Sequence, residues 1–475
     1  MAIPNDFLNV LINKLGEEHV SVDPLEKLVY AHDLAALPKS VKLLFDTTPD
    51  AIVRPESAEH VAEVIRLANE YKIPVIPRGG ATWGFGGTVP VRGGVVLDLT
   101  GLNRIVHLDE EHGLLTVECG IVWEDIMRFL QKTCWELPVY PSSALSSTVG
   151  GWAATGGIGY GSLKHGPFIK NVVKATAVLP DGRAVMLDDN SDPSLSQLFG
   201  SEGILCVFTD LTLKLVPKSE AERPFMASFS SLANALMAAQ EVLRLTSPHS
   251  LVLRTFGFTR TKDYVNPDAY FFGCFTGYKH AVDKYYLTLE EVVNRYRGYL
   301  APEDEAGREW EERFYTLRVK KWGPSILGNE FIIPVPKILD MVGYCWQLGS
   351  LARLDVEVEV MFVSRDRALM FQLFLCDERK SIRYLTEAAI TKKVLEAAIK
   401  AGGKPYGYGL WNFPFMEAAE PEKKRELESL KRALDPQGVL NPGKTIGAEL
   451  ALGLPLPGRL YGMLMDGVWF LRKVV

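Results

Sequence analysis

Two clusters of glycine are the residues of this 475-residue chain whose spacing points most directly to chemistry. Glycine tolerates positive φ angles and lets the backbone approach a ligand closely, so successive amide N–H groups in such turns can converge on an anion. Both clusters lie beside apolar runs typical of strands, unlike flexible linkers. We therefore expect both loops to hold one dinucleotide or other pyrophosphate. The glycines are Gly79, Gly80, Gly84, Gly86, Gly87, Gly93 and Gly94, and then Gly150, Gly151, Gly156, Gly157, Gly159, Gly161 and Gly166.

Two common nucleotide-binding motifs do not explain these loops. Residues 84–89 lack the last glycine of the Rossmann pattern, and no acidic residue lies at the right distance on a following strand. Residues 438–445 match a P-loop by residue type, but they follow a predicted helix over 422–434, and Pro442 lacks an amide hydrogen that such a loop would need. Spacing alone leaves the dinucleotide unidentified.

The composition is that of an ordinary globular protein. Apolar residues make up 47% of the chain and charged residues 23%, which excludes a disordered, collagen-like or coiled-coil chain. The 52 basic and 58 acidic side chains give a formal net charge of −6, so we expect no nucleic-acid partner. The length predicts about three structural units.

Cysteine and histidine limit the metal chemistry. None of the six cysteines belongs to a C-x-x-C pair, so we expect reduced thiols and neither a zinc ribbon nor an iron–sulfur cluster. No histidine follows His280, so a histidine base or ligand must come from the first part of the chain. The chain shows neither a signal peptide nor an apolar run long enough for a membrane span, which favours a cytoplasmic protein.

Short strands and helices are predicted to position the first glycine loops. A stripe of apolar residues predicts amphipathic helices within residues 1–40, and Ser57 is expected to cap a helix that reaches about Tyr71. A boundary is expected near residues 217–225, where Lys218, Ser219 and Pro224 are typical of a linker. The predicted strands cover residues 51–54, 74–77, 95–98, 114–118, 172–179 and 204–216, and a further helix covers 123–131.

Longer helices alternate with strands after residue 217. Residues 356–362 alternate between apolar side chains and Glu357, Glu359 and Met361, which predicts a half-exposed strand. The predicted helices cover residues 232–246, 280–298, 308–319, 336–347 and 384–401.

Four ordered motifs resemble one family. They are PRGGAT at 77–82, STVGG at 147–151, GSEG at 200–203 and LDPQGVLNPGK at 434–444. Together they resemble the FAD-linked oxidases typified by vanillyl-alcohol oxidase, p-cresol methylhydroxylase and glycolate oxidase flavoprotein subunits, over about residues 25–445. The resemblance implies an α+β fold, in which a two-subdomain FAD-binding module of the vanillyl-alcohol-oxidase type is joined to an α+β cap with an antiparallel sheet.

The resemblance also implies an organisation along the chain. Residues 1–220 would form the FAD-binding domain, 221–420 the cap that covers the flavin, 421–449 a segment returning to the FAD domain, and 450–475 a docking tail. Thr82 stands where some members attach FAD through histidine, so the flavin is expected to be non-covalent. The implied FAD-binding residues are Pro77, Arg78, Gly79, Gly80, Ala81, Thr82, Gly87, Pro141, Ser142, Ser147, Thr148, Gly150, Gly151, Thr155, Tyr160, Gly161, Ser162, Glu202, Gly203, Ile204, Val207, Asn441 and Lys444.

The departures from the family pattern bear on the substrate. Thr155 replaces a usual asparagine, and Cys206 replaces a frequent glycine. Hydroxy-acid members carry the motifs H-x-G-D-G-N-x-H and E-H-G in the cap, and a cap without histidine cannot contain either motif. We therefore expect no metal, and the general base of hydroxy-acid oxidation is in doubt.

The candidate catalytic residues come from the cap. The segment 402–412 resembles one that places tyrosine or arginine beside the flavin, which suggests Tyr406, Tyr408 and Trp411, with Lys404 as a nearby cation; the alternative is that these aromatics only pack the cap on the FAD domain. Trp310 and Arg313 resemble a W-x-x-R motif, where the arginine either binds a carboxylate or forms a surface ion pair. Weaker candidates are Glu330 and His165.

The tail contains an apolar helical stripe formed by Leu460, Met463, Leu464, Val468 and Leu471. It is interpreted as a partner-binding helix, an interfacial membrane helix or a strap on its own cap. The sequence thus predicts an FAD-dependent dehydrogenase of a small alcohol, hydroxy acid or phenolic substrate. Electrons would pass to an iron–sulfur or other acceptor protein, since glycolate-oxidase relatives often work beside an iron–sulfur subunit. The alternative is a non-catalytic or electron-relay flavoprotein subunit of a larger redox complex.

Overall fold

The first part of the chain builds a small mixed sheet. The computed structural model describes residues 3–34, 47–255, 269–449 and 455–471. Helix α1 has a buried apolar face, and the Ser57 hydroxyl accepts a hydrogen bond from the His60 amide at the start of α3, as predicted. Strands β2, β3 and β4 are parallel, and β1 joins β2 antiparallel. The elements are α1 (Asn5–Leu15), β1 (Val20–Ser21), α2 (Pro24–Tyr30), β2 (Ala51–Val53), α3 (Ala58–Tyr71), β3 (Val75–Arg78) and β4 (Val95–Asp98).

The second part is an antiparallel five-stranded sheet of order β5-β6-β10-β8-β9, with a separate β7–β11 pair. Its apolar side packs on the helices that carry the second glycine cluster. The elements are β5 (Ile105–Asp109), β6 (Leu114–Glu118), α4 (Trp123–Leu130), β7 (Trp135–Glu136), α5 (Val149–Ala154), α6 (Ser162–His165), β8 (Val172–Val178), β9 (Ala184–Leu187), α7 (Leu195–Leu198), β10 (Val207–Lys214) and β11 (Val216–Pro217).

The third part is an eight-stranded antiparallel sheet of order β15-β12-β14-β13-β17-β18-β16-β19. Long helices cover one of its faces with a phenylalanine-rich core, and the other face turns towards the first two parts. The elements are β12 (Ala221–Phe229), α8 (Leu232–Leu245), β13 (Ser250–Thr255), β14 (Ala269–Gly277), α9 (Lys279–Arg295), β15 (Tyr299–Leu300), α10 (Glu303–Glu311), β16 (Ser325–Pro334), α11 (Ile338–Ala352), β17 (Glu357–Phe362), β18 (Arg367–Cys376), α12 (Ser381–Lys400) and β19 (Lys404–Pro405).

The chain then returns to the first sheet and ends on the third. The backbone of Val75 accepts a hydrogen bond from the Asn441 amide, so the segment after α14 lies beside β3. The last helix, α15, packs along α12. The elements are α13 (Met416–Ala419), α14 (Pro421–Leu434), β20 (Ala448–Glu449), β21 (Pro455–Leu456) and α15 (Gly458–Leu471).

The prediction of a half-exposed strand over residues 356–362 is wrong, because every residue of β17 is buried. Val358 and Val360 face the helices. Glu359 is only 8% exposed because its carboxylate accepts a 2.6 Å hydrogen bond from Arg254 on the neighbouring strand. A charge partner from another strand allows a polar side chain to be buried, and one strand's own pattern does not show that partner.

The helix predicted over residues 308–319 also differs. Helix α10 ends at Glu311, and short 3-10 turns follow over Glu312–Phe314 and Thr316–Trp322. Side chains here donate hydrogen bonds to backbone carbonyls that would accept from backbone amides if the helix continued. Arg313 donates to the Trp310 carbonyl and Thr316 to the Arg313 carbonyl. Polar side chains that bind the backbone in this way compete with the helix.

Candidate functional site

A cavity of about 990 Å³ lies where the three parts of the chain meet. Both glycine clusters contribute to its wall, as do strands β16, β17 and β18 of the third sheet. Helices α12 and α15 line its far side. Residues far apart in the sequence thus share one hollow.

The two glycine loops contact each other across one end of the cavity. A Cβ atom on Gly79 would lie 2.2 Å from the Thr148 hydroxyl oxygen, and one on Gly80 would lie 2.2 Å from the Ser146 carbonyl oxygen. Any side chain at either position would collide with the opposite loop. Ala81 adopts a φ of 49°, which continues the tight turn into the cavity wall. Glycine is therefore required here by the close approach of two backbones.

Unused hydrogen-bond donors line this end of the cavity. Within the described chain, the amides of Gly80, Ala81 and Thr82 donate to no other residue. The buried hydroxyls of Thr88 and Ser147 also lack a partner among the described residues. Buried donors are rarely left unpaired, so this cradle fits a ligand with several acceptor oxygens, as the pyrophosphate of FAD has. The Arg78 guanidinium, which packs on the Tyr30 ring, adds a positive charge to the wall.

Most predicted FAD-binding residues line this cavity. They are Pro77, Arg78, Gly79, Gly80, Ala81, Thr82, Gly87, Pro141, Ser142, Ser147, Thr148, Gly150, Gly151, Thr155, Glu202, Gly203 and Val207. The structure thus brings the two clusters and the 200–207 segment to one surface.

Asn441 and Lys444 lie behind this surface instead of on it. The Asn441 amide donates to the carbonyl oxygens of Gly87, at 3.0 Å, and Glu202, at 2.9 Å. Lys444 donates to the Asn441 side-chain oxygen, and burial lowers the pKa of this ammonium to about 7. Ile204 is also buried, and its carbonyl accepts from Lys431 at 2.8 Å. In the described contacts, Asn441, Lys444 and Ile204 therefore stabilise the loops from behind and do not face the cavity.

Glu202 connects the cradle to the end of the cap and to the return segment. Its carboxylate accepts hydrogen bonds from the amides of Tyr408, at 2.7 Å, and Gly409, at 2.6 Å, and from the Thr445 hydroxyl, at 2.7 Å. Three donors therefore satisfy a carboxylate that is only 7% exposed. We name Glu202 with these three partners the Glu202 clamp.

Tyr160, Gly161 and Ser162 lie away from the cavity wall. The Tyr160 hydroxyl donates to the Arg313 carbonyl at 3.2 Å, and the Gly161 amide donates to the Ser250 hydroxyl at 2.8 Å. The Ser162 hydroxyl accepts from the Gly159 amide at 3.0 Å. Tyr160 and Gly161 thus join the second part of the chain to the third, and Ser162 stabilises the local turn.

The four predicted catalytic residues divide into two pairs. Tyr406 and Trp411 line the cavity, and the Tyr406 hydroxyl accepts from the Ile158 amide at 2.8 Å. Burial raises the pKa of Tyr406 above its ordinary value, so it is a neutral phenol. Tyr408 instead donates to Glu420 at 2.6 Å, and Glu420 also binds Lys404 at 2.7 Å.

Arg313 lies inside a group of aromatic rings. Its guanidinium carbon lies 4.2 Å from the ring centres of both Trp310 and Phe314, and the side chain donates to the Trp310 carbonyl at 2.6 Å. It is not among the cavity-lining residues, whereas its neighbour Phe314 is. The structure therefore places it behind an aromatic wall.

Glu330 on β16 presents a carboxyl group to the cavity. Its oxygen accepts a hydrogen bond of 3.4 Å from the Trp83 indole nitrogen in the first glycine loop. Burial raises the pKa of Glu330 to about 7. The group is therefore a proton donor or acceptor near neutral pH. The sequence made Glu330 only a weak candidate, because its partner is 247 residues away.

A row of side chains on adjacent strands leads across the cap sheet to Glu330. Register pairs Arg254 with Glu359, Glu359 with Phe371, and Phe371 with Glu330, so all four share one face. The backbone of Glu330 accepts from the Tyr406 amide at 3.0 Å, which extends the row by one residue. Arg254 is held by Glu359 and Glu309, each at 2.6 Å. Trp83 and Phe371 were missed from the sequence, although aromatics beside a glycine loop or on an inward strand position are a usable signal.

His165 does not line the cavity, and burial lowers its pKa to about 4, so it is neutral. Among the residues described, no group of three histidine, cysteine, aspartate or glutamate side chains is arranged to hold a metal ion. Within those same ranges, no helix is both long and apolar enough to cross a bilayer.

Two family models match the chain. The model of the FAD binding domain matches residues 49–188, and that of the FAD linked oxidases, C-terminal domain, matches residues 275–445. Both glycine clusters lie in the first match, and Glu330, Tyr406 and Trp411 lie in the second. FAD as the cofactor, predicted from the sequence, is confirmed.

Curated relatives match over most of their length. The chain is 25% identical to the glycolate oxidase subunit GlcD of Bacillus subtilis, covering 94% of this chain and 98% of that protein. It is 26% identical to a D-lactate dehydrogenase of Anaerostipes hadrus, covering 83% of this chain and 89% of the relative.

A solved structure shares the fold. A crystal structure of p-cresol methylhydroxylase with substrate bound aligns with a TM-score of 0.81 at 19% identity, covering 93% of this chain and 96% of the other. Alkyldihydroxyacetonephosphate synthase aligns with a TM-score of 0.75. The predicted α+β fold with an FAD-binding module and a cap is confirmed.

Proposed function

We propose that this chain, which belongs to the FAD-linked oxidase family, is a dehydrogenase of a small alcohol, hydroxy acid or phenolic compound. The observation that carries the proposal is the Glu330 carboxyl, which faces the same cavity as the phosphate cradle. A cofactor cradle and a titratable carboxyl in one hollow are what the oxidation of a hydroxyl group requires.

The residues that would hold FAD are those with unused donors. The amides of Gly80, Ala81 and Thr82 and the hydroxyls of Thr88 and Ser147 would bind the pyrophosphate, and Arg78 would balance its charge. Bound FAD supplies the acceptor for the hydride. The described cavity wall contains no histidine, which supports the expectation of a non-covalent cofactor.

Glu330 would remove the hydroxyl proton of the substrate. In this step the O–H bond gives its proton to the carboxylate while the adjacent carbon loses a hydride and becomes a carbonyl carbon. A pKa near 7 leaves a sizeable fraction of the carboxylate ionised at neutral pH. Trp83 fixes the orientation of the carboxyl by its hydrogen bond, and Tyr406 and Trp411 would hold the substrate against the wall.

An electron-relay subunit is the second candidate. It is favoured by the absence of histidine after His280 and of a metal-binding group among the described residues, because hydroxy-acid members of the family were expected to use both. In either case we propose that electrons leave to a partner redox protein, an iron–sulfur protein being the first candidate.

Anaerobic mixing tests the dehydrogenase proposal. The FAD-loaded protein is mixed with D-lactate, glycolate, a phenolic alcohol or NADH, and the absorbance of oxidised flavin is followed. Bleaching by one organic substrate is the expected result. If no substrate reduces the flavin unless a second protein is present, the dehydrogenase proposal is rejected and the electron-relay function is favoured.

A further inference from the structure

The cavity continues past Glu330 as an apolar arm. Its wall comes from strand β16, from one face of α12 and from one face of α15. The residues of this apolar arm are Ile326, Leu327, Leu385, Ala388, Leu460 and Leu464. The arm and the phosphate cradle belong to the same cavity, so a molecule at Glu330 can extend into the arm.

Helix α15 is a fixed wall of the arm. Asp466 accepts a 2.8 Å hydrogen bond from Lys392 of α12. Trp469 is only 7% exposed and packs into the apolar core of the cap. The helix is thus attached through the face that carries these two residues.

The face of α15 that lines the arm is incompletely covered by protein. Leu460 and Leu464 are 45% and 55% exposed, although both line the cavity. With Val468 they recur every four residues, so they form one stripe roughly 12 Å long. Apolar side chains that face a cavity gain free energy when an apolar ligand covers them.

Most of the described cationic side chains around this part of the cavity are already paired; Lys320, which also lines the cavity, is the exception, and its side chain is exposed to solvent. Arg254 is held by two carboxylates, Arg318 binds Glu312, and Arg313 lies behind its aromatic wall. Lys392, which lines the arm, binds Glu396 at 2.9 Å and Asp466 at 2.8 Å. A substrate carboxylate would also meet Glu330. Apart from the solvent-exposed Lys320, the described charges therefore favour a ligand without a carboxylate.

We infer that the substrate is an uncharged alcohol with an alkyl chain, whose hydroxyl lies at Glu330 and whose chain lies in the apolar arm against α15. The inference rests on the proposed function for the hydroxyl end, while the chain end is tested by binding alone. It names the substrate class that the small-alcohol proposal leaves open.

Calorimetric titration of the FAD-loaded protein with 1-hexanol, 1-octanol and 1-decanol tests the arm. Each buried methylene is expected to lower Kd about fourfold until the arm is filled. Decanoic acid is expected to bind at least tenfold more weakly than 1-decanol. A Kd independent of chain length, or tighter binding of the acid, would overturn the inference.

A matched pair of variants locates the chain. Leu464→Trp places a larger side chain in the arm. It should raise the Kd of 1-decanol at least tenfold and that of 1-hexanol less than twofold. Met463→Trp, on the neighbouring residue that is 72% exposed and outside the cavity wall, should change neither value. Equal melting temperatures of the two variants would show that both fold.

The outcomes separate this inference from the proposed function. If no alcohol, hydroxy acid or phenolic compound bleaches the flavin, but 1-decanol binds and Leu464→Trp blocks that binding, the inference about the arm holds and the dehydrogenase proposal fails. If Leu464→Trp leaves alkanol binding unchanged but prevents binding to phosphatidylglycerol vesicles, the arm proposal fails and the leucines belong to a membrane-facing surface.

Discussion

The indole nitrogen of Trp83 lies 3.4 Å from a carboxylate oxygen of Glu330 and donates a hydrogen bond to it, although one residue belongs to the first glycine loop and the other to the cap sheet. The cofactor cradle and the titratable group are therefore tied by one contact. The ring of Trp83 is fixed in turn by Gly407, where a Cβ atom would lie 1.9 Å from it.

Glu330→Gln is expected to slow flavin reduction by about 10²–10⁴-fold, because the amide cannot accept the proton. In the unmodified protein the rate should rise with pH through about 7, as the carboxyl group ionises. The variant should lose that rise. Stopped-flow absorbance at several pH values, with the effective substrate, measures both effects.

Trp83→Phe is the companion variant. The Trp83 hydrogen bond favours the ionised carboxylate, so its loss should move the midpoint of the pH profile upwards. FAD content should be measured for both variants, since Trp83 lies beside the cradle. An unchanged or lower midpoint in Trp83→Phe would contradict the assignment of the titration to Glu330.

Gly80→Ala is expected to weaken FAD binding at least tenfold, because the new methyl group would meet the Ser146 carbonyl at 2.2 Å. Gly447→Ala, at a residue outside the cavity wall, is the control, since nothing lies within 4 Å of its new methyl group. Flavin fluorescence titration of the stripped proteins gives both affinities. Equal losses would show that the loops do not depend on this close approach.

Acid denaturation is expected to release the flavin from the protein. Thr82 stands in the first loop, and no histidine lines the described cavity, so trichloroacetic acid should precipitate a colourless protein and leave the flavin in the supernatant. Yellow colour that stays with the pellet after washing would reveal a covalent bond. Mass spectrometry of the denatured chain provides an independent check.

Lys444 should make stability depend on pH. Its pKa is about 7 in the folded protein and about 10.4 in an unfolded chain. The unfolded state therefore binds more protons between these values, so the free energy of unfolding should rise with pH by up to about 1.4 kcal/mol per unit. Lys444→Met should lack this rise. Denaturant unfolding of both proteins between pH 7 and 10 measures this rise. If the free energy of unfolding depends on pH in the same way in both proteins, the lowered pKa of Lys444 is refuted.

Trp469→Ala is expected to lower the free energy of unfolding by about 3–5 kcal/mol, since it empties a buried site between α15 and the cap. Phe470→Ala, at the next position and 69% exposed, should change it by less than about 0.5 kcal/mol. Thermal or denaturant unfolding compares them. Similar effects of the two changes would mean that α15 does not pack on the cap in solution.

Local signals in the sequence explain what could be predicted. The Ser57 cap, the strand at residues 95–98 and the glycine loops depend on neighbouring residues and on backbone freedom, so their types and places were accessible. The burial of Glu359 and the raised pKa of Glu330 were not predictable, because each depends on residues brought close only by the fold; Glu330 was therefore only a weak candidate. Arg313 illustrates the same limit, since its motif suggested a carboxylate ligand and the structure surrounds it with rings.

The Glu202 clamp affects the route by which small molecules can reach the cavity. Lifting the cap at that edge would break the two hydrogen bonds that Tyr408 and Gly409 donate to the buried Glu202 carboxylate. These hydrogen bonds are therefore expected to keep the cap and the FAD domain together at that edge. Small molecules are expected to enter and leave beside α15, where Leu460 and Leu464 line the cavity and are also partly exposed to solvent.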